Sequence, residues 1–147
     1  MDCVEFQNYI QAQSSLRKAT EIIRDVFIRL WVQNFGNQWQ DNEIFGNNFE
    51  TNPVCLKIYK EANTTQKKML LEGNSKNWDI SLLYKILNFP PFNTSKYIIP
   101  VKMLKNLRNE IYHNSQMKLK DLKDFRKRYI EAMLFFFFRL KARANSV

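Results

Sequence analysis

The chemistry available to this chain depends first on its single histidine. His113 is the only imidazole among the 147 residues, and imidazole is the side chain that most readily exchanges protons near neutral pH. It lies in the string LRNEIYHN, in which Arg108 and Asn109 precede it. Any reaction that needs a proton carrier of this kind therefore has to occur around this string.

These three residue types suit the cleavage of a phosphodiester. An arginine can bind two phosphate oxygens at once and offset the charge that grows on them, and an asparagine can orient the imidazole or the phosphate. Cleavage of RNA through its own 2′-hydroxyl needs one base and one acid, each contributing about 10²–10⁴ in rate. One copy has only His113 for both roles, so the chemistry predicts a homodimer that joins two motifs by two-fold symmetry.

The same residues also have a purely structural interpretation. Arg108 would pair with an acid such as Glu110 or Asp124, and His113 would end a helix, where a positive charge is favourable. At ordinary residue frequencies, Arg-Asn-x3-His arises by chance in roughly one chain in a hundred of this length. The string by itself leaves both interpretations open.

Positive charge is concentrated in the C-terminal half of the chain. The net charge is +9, and residues 75–147 hold 15 Lys/Arg against 5 Asp/Glu, whereas residues 1–74 hold 8 against 9. Such a surface attracts polyanions, with nucleic acid the first candidate and an acidic membrane surface the second, although it can also serve solubility alone. The residues expected to contact RNA are Lys102, Lys105, Tyr112, Lys118, Lys120, Arg126 and Lys127.

The composition indicates a folded protein inside the cell. Hydrophobic residues make up 45% and glycine only three positions, so a single domain over residues 1–147 is expected, which could be an excerpt of a larger protein. No apolar run approaches the roughly 20 residues that cross a bilayer, and the first residues lack a secretory n-region, which predicts a cytoplasmic protein with no membrane partner. Cys3 and Cys55 form no zinc pattern, so they are expected to be free thiols, with no metal or cofactor.

Apolar spacing and capping residues predict an all-α fold, an antiparallel bundle of about four to five helices. Asn52-Pro53, Asp79 and Pro100 favour helix starts, and Gly73 favours a helix end. Phe135–Phe138 make the last helix apolar nearly all round, which fits either a central core helix or a dimer seam. The predicted helices cover 16–31, 53–71, 80–87, 100–113 and 118–143, with Asn114-Ser115 expected to end the fourth, and a loop anchored by Trp39, Phe45 and Phe49 follows the first.

The string LRNEIYHN, with WDISLLYKILNFPPF before it, resembles the HEPN superfamily. These helical nucleotide- and RNA-binding domains carry Arg, four to six residues and His, often with a polar residue after the arginine; Arg108, Asn109 and His113 match that pattern. The chain looks most like the HEPN domains of the DAZ-interacting zinc-finger ubiquitin ligase group, over about residues 16–143 and most strongly over 78–113. The resemblance implies a helical bundle, dimerisation across the motif and metal-independent RNA cleavage.

Three functions follow from these observations. The first is a metal-independent endoribonuclease that acts on single-stranded RNA as a homodimer, with Arg108, Asn109 and His113 as catalytic residues. The second is a non-catalytic RNA-binding or oligomerisation module of a larger signalling or ubiquitin-ligase protein. The third is a structural role, in which Phe135–Phe138 drive assembly and the basic surface serves solubility.

Overall fold

The computed structural model describes residues 3–93, 96–113 and 117–144, and within them it contains helices but no β-strand. The all-α fold class predicted from the sequence is confirmed. The helices are α1 (Cys3–Phe35), α2 (Glu43–Gly46), α3 (Asn48–Thr51), α4 (Leu56–Glu61), α5 (Thr64–Glu72), the 3-10 turn η1 (Ser75–Asn77), α6 (Ile80–Leu87), α7 (Ile98–His113) and α8 (Leu119–Ala144).

The predicted number of four to five helices is wrong, because the described ranges contain eight α-helices. The difference lies in residues 43–72, where a loop and one helix were predicted and four short helices form. Asparagine indicates loops, but it also caps helices. The side chain of Asn42 caps α2 through the Phe45 amide, and that of Asn63 caps α5 through the Gln66 amide. Gln66 Oε1 in turn accepts from the Asn63 amide, which completes a capping box and separates α5 from α4.

The predicted helix start at Asn52-Pro53 is displaced. Asn52 Oδ1 accepts a hydrogen bond from the Val54 amide, so this residue forms a tight turn, and α4 begins at Leu56. The predicted signals at Gly73 and Asp79 are confirmed. Gly73 follows α5 in the left-handed conformation with a φ of 72°, and the Asp79 carboxylate caps α6 by accepting from the Leu82 amide.

Helix α1 is longer than the predicted segment of 16–31, because it begins at Cys3. Its first turns bury Asn8 and Ala12 rather than large apolar residues, so this part of the sequence lacks the apolar spacing that predicts a helix. Asn8 Nδ2 donates a hydrogen bond of 3.2 Å to the Met117 carbonyl oxygen. A buried amide is tolerated when it is hydrogen-bonded in this way.

The chain divides into two compact units. The terminal unit contains Met1–Thr20 and Ile99–Val147, and the central unit contains Glu21–Ile98. A single domain over residues 1–147 remains a prediction. Within the described segments, no helix combines the length and apolarity that a membrane span requires.

An aromatic cluster forms the core of the central unit. Phe27 lies at its centre, with edge-to-face contacts of 5.2 Å to Trp39, 5.1 Å to Trp78 and 5.4 Å to Phe92 between ring centroids. Such offset geometries are favourable beyond the burial of apolar area. The predicted anchors Trp39 and Phe49 are buried and Phe45 is half-buried.

Two glycines allow α2 to approach the end of α5. A Cβ at Gly46 would lie 2.4 Å from the Leu71 carbonyl oxygen, and one at Gly73 would lie 1.9 Å from the Asn42 carbonyl oxygen. Any other residue would force these backbones apart, so both glycines are required by close packing as well as by the conformation of Gly73.

In the terminal unit, α7 and α8 bury the stripes that their apolar spacing predicts. Val101, Leu104, Leu107 and Ile111 are buried on α7, and Leu122, Phe125, Met133 and Phe136 are buried on α8. The predicted core residue Tyr129 is half-buried. Each helix therefore has one face fixed in the core, which determines which side chains reach solvent.

Candidate nucleic-acid interface

Helix α7 carries the motif in its last two turns. It begins at Ile98, two residues before the predicted start, and Pro100 is accommodated in the first turn because the amides there have no partner within the helix. Its described part extends to His113. Asn114 and Ser115, which were predicted to end it, lie outside the described residues. Because the buried stripe fixes the rotation of α7, the motif residues lie at its solvent side.

Arg108 is held by two neighbours on the same helix. Its guanidinium carbon lies 4.2 Å from the centroid of the Tyr112 ring, and its Nη1 donates a hydrogen bond of 3.3 Å to Asn109 Oδ1. Arg108 and Asn109 are half-buried, whereas Tyr112 is exposed. A guanidinium has five N–H donors and is a side chain that can bind a phosphate through two of them. The structure thus brings three of the predicted site residues together at a solvent-accessible position.

His113 is exposed at the end of α7. Asn109 lies one helical turn before it, so these two side chains leave the helix on the same side. Arg108 precedes His113 by five positions, which corresponds to roughly 140° around an α-helix. The two side chains therefore leave the helix in different directions, although Arg108 bends towards Asn109.

The opposite edge of α7 is tied to α8 by an ion pair. Arg128 Nη2 donates a hydrogen bond of 2.9 Å to Glu110 Oε1, its Nη1 contacts Glu110 Oε2, and Asp124 lies 3.5 Å away. The hydrogen bond that Arg128 donates to Glu110 raises the pKa of Arg128, with the charges of Glu110 and Asp124 adding to the effect and burial opposing it. Glu110 and Asp124, the acids considered as partners for Arg108, thus both contact Arg128.

These acids also give the two edges of α7 opposite electrostatic character. Glu110, Asp121 and Asp124 line a small pocket whose apolar walls include Leu107 and Phe125. Asp121 caps α8 by accepting a hydrogen bond of 3.1 Å from the Lys118 amide. A phosphate would be repelled from this pocket, so of the two edges of α7 the one that carries Arg108 is better suited to an anionic ligand.

The predicted lysines on α7 differ in exposure. Lys102 is exposed and Lys105 is half-buried. By helical spacing both lie on the side of α7 that carries Asn109. Lys105 lies about one turn before Asn109, and Lys102 lies about two turns before it. They can therefore extend the positive surface from the motif towards the start of α7.

The predicted cations on α8 are exposed: Lys118, Lys120, Arg126 and Lys127. Arg126 also donates a hydrogen bond from Nη2 to Gln11 Oε1 on α1, so its guanidinium has a role in joining these helices. Lys123 is exposed too and was not singled out from the sequence. Its place between Lys120 and Lys127, at spacings of three and four, is the signal that would have found it.

Helix α8 presents an apolar surface beyond these cations. Of the phenylalanine run, Phe136 is fully buried, whereas Phe135, Phe137 and Phe138 are exposed. Ile130 and Leu134 are also more than half exposed. One phenylalanine of the run therefore packs in the core, and the other three form apolar surface exposed to solvent. We call the set Ile130, Leu134, Phe137 and Phe138 the α8 apolar face.

The sequence allowed a contact between Arg108 and Tyr112 but did not specify it. A spacing of four places an aromatic ring within reach of a guanidinium on a helix. The ion pair between Arg128 and Glu110 has no comparable spacing in the sequence, because 18 positions separate the two residues. It depends on how α7 and α8 pack.

The interface consists of cations, an amide, an imidazole and a phenol, which are groups that recognise an anion. In the part of the chain that the structure describes, no three His, Cys, Asp or Glu side chains are grouped as they would be to hold a metal ion. Comparison with protein-family models, with curated proteins and with solved structures found no match to this chain. Membership of the HEPN superfamily therefore remains a prediction that depends on the motif and the order of the helices.

Proposed function

We propose that this chain is an RNA-binding domain of the HEPN type that cleaves single-stranded RNA without a metal ion, as a homodimer in the cytoplasm. The observation that carries the proposal is the position of Arg108: its guanidinium is held by Asn109 and Tyr112 on the solvent side of α7, with His113 exposed at the end of the same helix. The positive charge of the C-terminal half supplies the attraction for a polyanion.

In this mechanism His113 of one copy accepts the proton of the ribose 2′-hydroxyl. The 2′-oxygen forms a bond to phosphorus while the bond from phosphorus to the 5′-oxygen breaks, and the imidazolium of the second copy gives its proton to that leaving oxygen. Arg108 offsets the negative charge that accumulates on the phosphate oxygens. The products are a 2′,3′-cyclic phosphate and a free 5′-hydroxyl.

The proposal of a homodimer is supported by two features. Each copy has a single imidazole, and the angle between Arg108 and His113 around α7 favours a site shared by two copies over a site within one. The α8 apolar face leaves four large side chains in solvent, a feature typical of protein contact surfaces. A second copy could cover them.

Incubation of labelled single-stranded RNA with the purified chain in EDTA tests the proposal. We expect cleavage by the wild type and a loss of at least about 10²–10⁴ in rate for His113→Ala, because a dimer of this variant lacks both the base and the acid. RNA with 2′-O-methyl groups should bind and remain intact, since it has no nucleophile. Lys60→Ala changes an exposed cation of the central unit and is the control that should retain activity.

Other outcomes separate the alternatives. One alternative outcome is RNA binding that weakens steeply with salt, with no cleavage by the wild type or any variant. Salt-dependent binding shows only that cations contact the phosphates, so this outcome would favour the non-catalytic module over the endoribonuclease. The absence of RNA binding at low salt would refute the proposal. Sedimentation that finds only monomers at the concentrations where RNA is cleaved would refute the shared site.

A further inference from the structure

We propose that Tyr112 is a base-stacking residue, so that Arg108 and Tyr112 together hold the phosphate and the unpaired base of one nucleotide. This inference rests on the proposed RNA binding and adds a substrate requirement to it. Its basis is the contact between the two side chains, in which the guanidinium carbon lies 4.2 Å from the centroid of the ring.

One face of the Tyr112 ring is covered by this contact, yet the residue is 63% exposed. An aromatic ring has two faces, and an exposure this large in a residue with one covered face places the other face in solvent. Exposed aromatic surface is unfavourable in water. It becomes useful where a flat ligand can stack on it.

The covered face explains how the ligand would be oriented. The guanidinium carbon lies over the ring, and N–H groups that extend past the ring edge can meet phosphate oxygens. The hydrogen bond from Arg108 Nη1 to Asn109 Oδ1 restricts its rotation. A phosphate bound by Arg108 would therefore lie beside the ring and not above it.

The open face of the ring then lies within reach of the base that belongs to that phosphate, since the two are joined through a single ribose. Nucleobases stack on aromatic side chains with a contribution of about 1–3 kcal/mol per base. A base inside a duplex has neighbours on both faces and cannot accept a third ring without leaving the stack. The arrangement consequently selects an unpaired nucleotide and disfavours double-stranded RNA.

The chain contains a matched pair that lacks this environment. Lys67 lies over the ring of Tyr59 at 5.2 Å between its Nζ and the ring centroid, and both residues belong to the central unit, whereas the motif belongs to the terminal unit. Replacement of Tyr59 removes a cation–π contact of the same kind without changing the proposed nucleotide site. Tyr59→Leu is therefore the control for Tyr112→Leu.

The test measures binding of the full chain to a single-stranded 2′-O-methyl RNA and to an abasic strand of the same length. For the wild type, removal of the bases should weaken binding roughly ten- to a hundred-fold. Tyr112→Phe should retain this difference, Tyr112→Leu should abolish it, and Tyr59→Leu should leave it unchanged. Strands with 2-aminopurine should lose fluorescence on binding to the wild type, to Tyr112→Phe and to Tyr59→Leu, but not on binding to Tyr112→Leu.

The control strands distinguish failure of this inference from failure of the proposed function. If removal of the bases weakens binding to Tyr112→Leu as much as it weakens binding to the wild type, Tyr112 only positions Arg108. The inference is then wrong, while the proposed RNA binding stands. Equal affinity of the wild type for single- and double-stranded RNA would overturn it too. If neither strand binds any variant at low salt, the proposed function itself fails.

Discussion

The two units of this molecule differ in how far their aromatic side chains are buried. In the central unit, Phe27 is fully buried and contacts four other rings. In the terminal unit, Phe137 and Phe138 are 57% and 72% exposed. Burial of apolar area stabilises a fold, whereas apolar area left in water is available for contact with another molecule. The comparison separates a unit whose rings pack in a core from a unit that leaves part of its aromatic area exposed to solvent.

Replacement of one phenylalanine in each unit tests this division and should give the largest effect. Phe27→Ala is expected to lower the free energy of unfolding by about 3–5 kcal/mol, because it leaves a cavity in the aromatic cluster. Phe137→Ala should change it by less than about 0.5 kcal/mol, since that ring is mostly in solvent. Urea denaturation of both variants measures the difference. Losses of similar size would show that the α8 apolar face is part of a core.

A second prediction concerns the polar support of the central unit. Burial alone would raise the pKa of Asp41, but hydrogen bonds from the Ser75 hydroxyl, the Ser75 amide and the Trp39 indole keep it below its ordinary value. A carboxyl whose pKa is lowered on folding stabilises the fold above its unfolded pKa, and that contribution disappears as the pH falls through the folded pKa.

Asp41→Asn should therefore destabilise the protein by about 1 kcal/mol at neutral pH, a value at the lower end for charged hydrogen bonds because Asp41 is largely exposed. The difference from the wild type should shrink below about pH 4, where the wild-type carboxyl also becomes neutral. Thermal unfolding between pH 7 and pH 2 measures this. A difference that stayed constant with pH would mean that the charge of Asp41 is not involved.

The smallest effect is expected for the ion pair of the terminal unit. Arg128 is half-buried and Glu110 is exposed, with side-chain exposures of 35% and 58%. Their coupling in a double-mutant cycle of Arg128→Ala and Glu110→Ala should be about 0.5–1 kcal/mol, and it should decrease in high salt. A coupling above this range would show that the pair is needed to hold α7 against α8.

The sequence predicted some elements well and others poorly, for reasons that particular residues show. The stripes of α7 and α8, the cap at Asp79 and the end at Gly73 depend on neighbours within a few positions, and they were correct. The start of α1 was missed because Asn8 is buried through a hydrogen bond to Met117, 109 positions away. The short helices α2 and α3 were missed because asparagine indicates both loops and caps.

For the candidate site, the sequence alone determined which residues share the polar side of α7, because helical periodicity and a buried stripe fix the rotation of a helix. It also determined the positive charge that would attract RNA. Only the tertiary structure decided that Glu110 and Asp124 contact Arg128 and that three of the four consecutive phenylalanines reach solvent. Those outcomes depend on how α8 packs, and packing brings together residues whose distance along the chain carries no periodic signal.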